Sequence, residues 1–98
     1  MQQFICFLEP CRPDLPENPS SDETSAIEAH YAYYQKLLEK GSLQIAGRTH
    51  EPPYIGIMIL EAPTKEDAIS IAVQDPAINR GVLKARVQEF QTAMQAVS

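Results

Sequence analysis

Apolar and polar residues alternate along the chain at spacings that predict four strands and two helices. The predicted strands are residues 2–8, 42–48, 54–62 and 81–91. One helix is predicted between a cap at residues 20–22 and Lys40, and the other between Thr64 and Asp75. The order β-α-β-β-α-β is the ferredoxin-like pattern, an α+β fold in which both helices cover one face of a four-stranded antiparallel sheet. The 98 residues fit a single domain, residues 1–98.

The first and third predicted strands carry apolar side chains on both faces. In the first strand Phe4, Cys6 and Leu8 face one way, whereas Ile5 and Phe7 face the other. Since the helices cover only one face, each large side chain left in water on the other face forfeits ~1.5–3 kcal/mol. A second copy packed sheet to sheet would bury these side chains. The pattern therefore predicts a homodimer formed through the open sheet face, or a higher oligomer built on it.

The charge and hydropathy of the chain argue against two classes of partner. The net charge is −5, and the eight basic residues are too scattered to form a patch for nucleic acid or anionic lipid. No segment approaches the ~18 apolar residues of a membrane span. The N-terminus runs directly into a strand, without the basic and apolar regions of a signal peptide. We therefore expect a cytoplasmic protein that binds neither nucleic acid nor membrane.

The cysteines and histidines do not form a metal or redox motif. Cys6 and Cys11 are five positions apart, a spacing that fits neither a disulfide framework nor a zinc clip. His30 and His50 lack the spacing of known metal sites. The four glycines do not form a phosphate-binding loop. We expect no metal and no cofactor.

Residues 9–22 (EPCRPDLPENPSSD) form a proline-rich segment without a regular element. A loop this long in so small a domain is either functional or a solvent-exposed connector, and the sequence leaves both interpretations open. Arg12 lies in this segment. It either binds an anionic group of a substrate or is a solvated surface charge.

The helical periodicity places one histidine and one aspartate on inward-facing stripes. The stripe of the first helix consists of Ile27, His30, Tyr31, Tyr34, Leu37 and Leu38. The stripe of the second consists of Ala68, Ile71, Ala72 and Asp75, and Pro76 ends that helix. In this fold the two helices lie side by side. An imidazole and a carboxylate on their facing edges could therefore touch.

A carboxylate that contacts a histidine stabilises the imidazolium and fixes the tautomer, which is how a general base is oriented. Either His30 or Asp75 is allowed as the base, with the other as its positioning partner. The alternative is structural: His30 is a core residue bonded to a main-chain carbonyl, and Asp75 is a helix-end or turn residue.

Several stretches, taken in chain order, resemble the YCII-related family of small dimeric α+β barrel proteins. They are AHYAYY, LLEKGSLQIAGR, the third strand followed by EAPTKEDA, and QDPAINRG. The resemblance implies an active site formed by a His–Asp pair, here His30 and Asp75. Some members resemble enzymes that act on small aromatic-degradation products, including by dehydrochlorination, and the wider superfamily contains lactone isomerases and cofactor-free monooxygenases. Ala77 and Arg48 depart from an aromatic and a proline found in many members, so the substrate is not carried over.

These observations predict a cofactor-independent acid–base enzyme of lyase, isomerase or hydrolase type that acts on a small organic acid or lactone. His30 and Asp75 would transfer the proton. Arg48, at the end of the second strand, would anchor a carboxylate, and Tyr34 and Arg12 would also bind substrate. The alternatives for Arg48 and Tyr34 are a solvated charge and a core residue. The alternative functions are a non-catalytic dimeric protein that binds a small ligand, and a structural module in which His30→Leu would be neutral or stabilising.

Overall fold

The computed structural model describes residues 1–96, so the last two residues of the predicted domain lie outside it. The elements in chain order are β1 (Gln2–Pro10), α1 (Ser21–Lys40), β2 (Leu43–Arg48), β3 (Gly56–Ala62), α2 (Lys65–Val73), α3 (Pro76–Asn79) and β4 (Leu83–Phe90). The four strands form one antiparallel sheet in the order β2-β3-β1-β4. This confirms the predicted ferredoxin-like α+β fold.

The central strands β1 and β3 have different surroundings on their two faces. Phe4, Cys6 and Leu8 of β1 are buried beneath the helices. On the opposite face Ile5 pairs with Ile59 and Phe7 pairs with Ile57 across the strands. The helices leave this second face open, and Ile57 is 39% exposed there. Within residues 1–96 the sheet therefore carries an apolar face that is only partly covered.

Both ends of α1 are closed by local hydrogen bonds. The hydroxyl of Ser20 accepts from the Glu23 N–H, and the Glu23 carboxylate accepts from the Ser20 N–H, which forms a capping box. The sequence allowed Ser20, Ser21 or Asp22 as the N-cap, and in the structure the N-cap is Ser20. At the other end Gly41 adopts φ 83°, a left-handed conformation that glycine reaches without steric cost.

The buried face of α1 differs from the predicted stripe. Tyr34 and Leu37 are buried as expected, but Tyr31 is 62% exposed and Leu38 is 46% exposed. Ala26, which was not placed in the stripe, is completely buried. The inclusion of Tyr31 and Leu38 was therefore wrong. The reason is that α1 packs mainly against α3 and β2, which rotates its inner face toward Ala26.

Candidate active site

His30 and Asp75 are joined by a hydrogen bond. The distance between His30 Nδ1 and Asp75 Oδ2 is 2.6 Å. Because an ionised carboxylate only accepts hydrogen bonds, Nδ1 carries the proton and donates it. The neutral imidazole then has its lone pair on Nε2. Among residues 1–96, Nε2 has no hydrogen-bond partner.

The local chain around Asp75 fixes the direction of its carboxylate. The second helix was predicted to extend to Asp75, but α2 ends at Val73 and Asp75 instead begins a further short helix, α3. As the N-cap of α3, Asp75 accepts a hydrogen bond from the Ala77 N–H at Oδ1, at 2.9 Å. Pro76 suits the first position of α3, since proline has no N–H to satisfy there. Both oxygens of this completely buried carboxylate are therefore bonded.

A cavity of about 480 Å³ lies beside His30. Its walls come from α1, from the β2–β3 region and from the proline-rich segment. The lining residues include Leu15, Pro16, His30, Tyr34, Arg48, Tyr54 and Met58. Asp75 does not line the cavity. The arrangement places His30 between a buried carboxylate on one side and an accessible space on the other.

Tyr34 packs against His30 and lines the same cavity. The two ring centroids are 5.0 Å apart in an edge-to-face arrangement. The Tyr34 hydroxyl is buried and has no hydrogen-bond partner within the described part of the chain. Burial raises the pKa of Tyr34, and the nearby Asp75 carboxylate raises it further. The hydroxyl is therefore a neutral donor with an unsatisfied proton.

Arg48 and Arg12 have different surroundings. Arg48 is an exposed residue on the cavity wall and forms no ion pair among residues 1–96. Arg12 lies off the wall. Its guanidinium donates to Asp14 at 2.7 Å and to Glu23 through two nitrogens at 2.5 and 3.0 Å. The hydrogen bond from Arg12 lowers the pKa of Glu23 to about 2. His30, Tyr34 and Arg48 thus line one cavity, Asp75 is bonded to His30 behind it, and Arg12 lies apart.

The proline-rich segment contributes cavity residues that the sequence did not single out. Leu15 and Pro16 of the segment line the cavity, and so does Tyr54, which precedes β3. The Tyr54 hydroxyl donates to Glu17 Oε1 at 2.8 Å and so connects the proline-rich segment to the chain before β3. The sequence offered one sign that this segment is partly buried, namely the apolar Leu15 among charged and proline residues. The path of a loop cannot be predicted from hydrophobic periodicity, because a loop has no repeating geometry.

Two further features of the described residues concern metals and membranes. No group of three or more His, Cys, Asp or Glu side chains within residues 1–96 is arranged to hold a metal ion. None of the described helices is both long enough and apolar enough to cross a membrane.

Comparisons with known proteins agree on the architecture. The model of the YCII-related domain matches residues 3–91. A search of curated proteins finds no match. Among solved structures, the chain is similar to 5-chloro-2-hydroxyhydroquinone dehydrochlorinase from Burkholderia phenoliruptrix, in complex with 2,5-dihydroxybenzoquinone. The TM-score is 0.71 at 20% sequence identity, and the similarity covers 91% of this chain and 93% of the other. At that identity the similarity shows a common fold.

Proposed function

The chain belongs to the YCII-related domain family, and we propose that it is a cofactor-independent acid–base enzyme that acts on a small organic acid or lactone. The reaction would be of lyase, isomerase or hydrolase type. The observation that carries this proposal is the 2.6 Å hydrogen bond that joins His30, on a cavity wall, to a buried Asp75. A base oriented in this way contributes about 10²–10⁴-fold to the rate of a proton transfer.

In this proposal His30 is the base and Asp75 is its positioning partner. Asp75 is completely buried and off the cavity wall, so a ligand in the cavity would meet the imidazole and not the carboxylate. Nε2 would take a proton from the substrate. The Asp75 carboxylate would hold the Nδ1–H tautomer and stabilise the imidazolium that forms. The imidazolium would then release the proton, to the product in an isomerisation or to water in an elimination.

Arg48 and Tyr34 are proposed to bind the substrate. The Arg48 guanidinium has no ion-pair partner among residues 1–96 and could pair with a carboxylate through two nitrogens. Tyr34 lines the cavity, and its hydroxyl has a proton to donate, which costs about 1–3 kcal/mol while it is unsatisfied. Because that hydroxyl is buried, donation to a ligand would need a local side-chain movement. We assign Arg12 a structural role instead, because Asp14 and Glu23 already occupy its guanidinium.

The structural neighbour supports a small cyclic substrate. Its ligand, 2,5-dihydroxybenzoquinone, is a six-membered ring with polar substituents, and its named reaction is a dehydrochlorination. A cavity of about 480 Å³ with mainly apolar walls can accommodate a ring of that size. In this class of reaction a base removes a proton and chloride leaves, which needs no redox cofactor.

We also propose that the protein forms a homodimer through the open sheet face. Ile5, Phe7, Ile57 and Ile59 form the centre of that face, and Ile45 on β2 is 64% exposed beside them. Burial against the same surface of a second copy would remove these side chains from water.

The proposal is tested by a search for turnover with matched variants. The substrates are small organic acids, lactones and chlorinated hydroxyquinols, and products are followed by NMR. His30→Ala and Asp75→Asn should each lower kcat by about 10²–10⁴-fold for any substrate that reacts. The controls are His50→Ala and Asp22→Asn, which change exposed residues of the same types.

The outcomes separate an enzyme from a binding protein. A folded His30→Ala protein that retains full turnover would refute the assigned role. If ligands bind in the cavity but none of the three substrate classes is converted, the non-catalytic ligand-binding function is the better description.

A further inference from the structure

The proline-rich segment inserts one buried leucine between the helices that carry the His–Asp pair. Leu15 is 5% exposed, whereas the adjacent Asp14 is exposed. It belongs to a buried cluster with Ala26 of α1, Ala77 of α3 and Val82, which follows α3. Leu15 is the largest side chain of the four. Because Ala26 and Ala77 are small, Leu15 supplies most of the buried side-chain volume between α1 and α3, with the partly buried Ile27 and Leu83 packed against the cluster.

This cluster lies next to both members of the pair. Ala26 is one helical turn before His30 and therefore lies on the same face of α1. The Ala77 N–H donates the hydrogen bond that holds Asp75 Oδ1 at 2.9 Å. A movement of α3 relative to α1 at this cluster would therefore change the distance between His30 and Asp75.

Hydrogen bonds hold the segment on both sides of Leu15. On one side the Cys11 N–H donates to the Val82 carbonyl at 3.0 Å. After Leu15, the Asn18 carbonyl accepts a hydrogen bond from the Arg12 guanidinium at 2.8 Å. Arg12 also binds Glu23 at the start of α1. Leu15 thus sits on a fixed loop and not on a free connector.

From this arrangement we propose that Leu15 is a positioning residue, and that residues 11–19 brace α3 against α1 so that the His30–Asp75 hydrogen bond keeps its geometry. The role concerns the hydrogen bond itself and holds whatever reaction the pair performs. It gives residues 11–19 a role in addition to lining the cavity.

The test follows the Nδ1 proton of His30 by NMR in the full-length protein. His30→Gln and His50→Gln variants assign the signal. Leu15→Ala should abolish it, because the proton exchanges with water once Asp75 moves away. Leu43→Ala is the matched control, since Leu43 is 4% exposed and belongs to a separate cluster, between the sheet and the helices, that contains neither Ala26 nor Ala77. Leu43→Ala should retain the signal although it also removes a buried leucine. Leu15→Met, which keeps a large apolar side chain at position 15, should show the signal that Leu15→Ala lacks.

Two results would overturn the proposal. One is a Leu15→Ala protein whose Nδ1 proton exchanges at the wild-type rate. The other is equal loss of the signal in Leu43→Ala, which would mean that any core cavity has this effect. If Leu15→Ala does not fold, Leu15→Val and Leu43→Val are compared, and faster exchange only in Leu15→Val is expected. No substrate is needed, so absence of turnover would count against the enzyme and not against this role.

Discussion

His30 Nδ1 and Asp75 Oδ2 are 2.6 Å apart, although 45 positions separate the two residues in the chain. Asp75 is completely buried, and its second oxygen accepts from the Ala77 N–H. The carboxylate therefore has a bonded partner on each oxygen, and His30 is the only titratable one. Several consequences of this contact and of its surroundings can be measured.

Replacement of His30 by leucine should destabilise the protein. The substitution removes the partner of a buried carboxylate, and breaking a buried pair in this way costs about 3–5 kcal/mol. The free energy of unfolding is measured in urea at pH 7. The double variant His30→Leu, Asp75→Asn should recover part of the loss, since the buried charge is then gone. A His30→Leu protein as stable as the wild type would support the purely structural module instead.

Replacement of Tyr34 by phenylalanine should not destabilise the ligand-free protein. The hydroxyl has no partner among residues 1–96, and removal of an unsatisfied buried group relieves a cost of about 1–3 kcal/mol. Urea denaturation gives the change in stability. The matched variant Tyr33→Phe should be destabilised by about 1 kcal/mol, because the Tyr33 hydroxyl donates to the Ile71 carbonyl at 2.7 Å. A large loss of stability in Tyr34→Phe would reveal a partner such as a buried water.

A lysine at position 57 should convert the proposed dimer to a monomer. Ile57 lies at the centre of the open sheet face and is 39% exposed, so a charge there would be buried by a second copy. Sedimentation velocity gives the mass in solution. Ile69→Lys is the matched control, because Ile69 is 42% exposed on the outer surface of α2. If both variants have the wild-type mass, the open sheet face is not the interface.

The contribution of Glu23 to stability should be lost in acid. The Arg12 hydrogen bond lowers the pKa of Glu23 from 4.5 to about 2, so the folded state favours the carboxylate. Its stabilising effect is complete above pH 4.5 and disappears as the pH falls toward 2. The difference in unfolding midpoint between wild type and Glu23→Gln should therefore shrink over that interval. Glu28→Gln, which alters an exposed carboxylate of the same helix, should show a smaller difference throughout.

The two cysteines should differ in reactivity toward a thiol reagent at neutral pH. Cys11 is exposed, whereas burial raises the pKa of the Cys6 thiol to about 11 and keeps it protonated. One equivalent should react quickly in the native protein, and the second only after denaturation. Cys11→Ser should remove the fast phase. Rapid reaction of both thiols would contradict the position of Cys6 under the helices.

The helical periodicity correctly predicted that Asp75 faces inward, but it assigned Asp75 to the wrong helix. The spacing was that of a helix extending to Asp75, whereas α2 ends at Val73 and Asp75 caps α3. The residue is nevertheless buried, because an N-cap side chain turns back toward its own helix and here α3 packs against α1. A four-residue helix is too short to produce a periodic signal of its own.

The sequence alone determined the type and order of the main elements, the two-faced central strands and the inward direction of His30. These properties depend on which residues along one element avoid water, and that information is local. Only the tertiary structure decided the distance between His30 and Asp75, the presence of a cavity and the different environments of Arg48 and Arg12. Those properties depend on how α1, α3 and the proline-rich segment pack together. Leu15 contributes to that packing from a loop. Because a loop has no repeating hydrophobic pattern, the sequence did not predict where the Leu15 side chain lies.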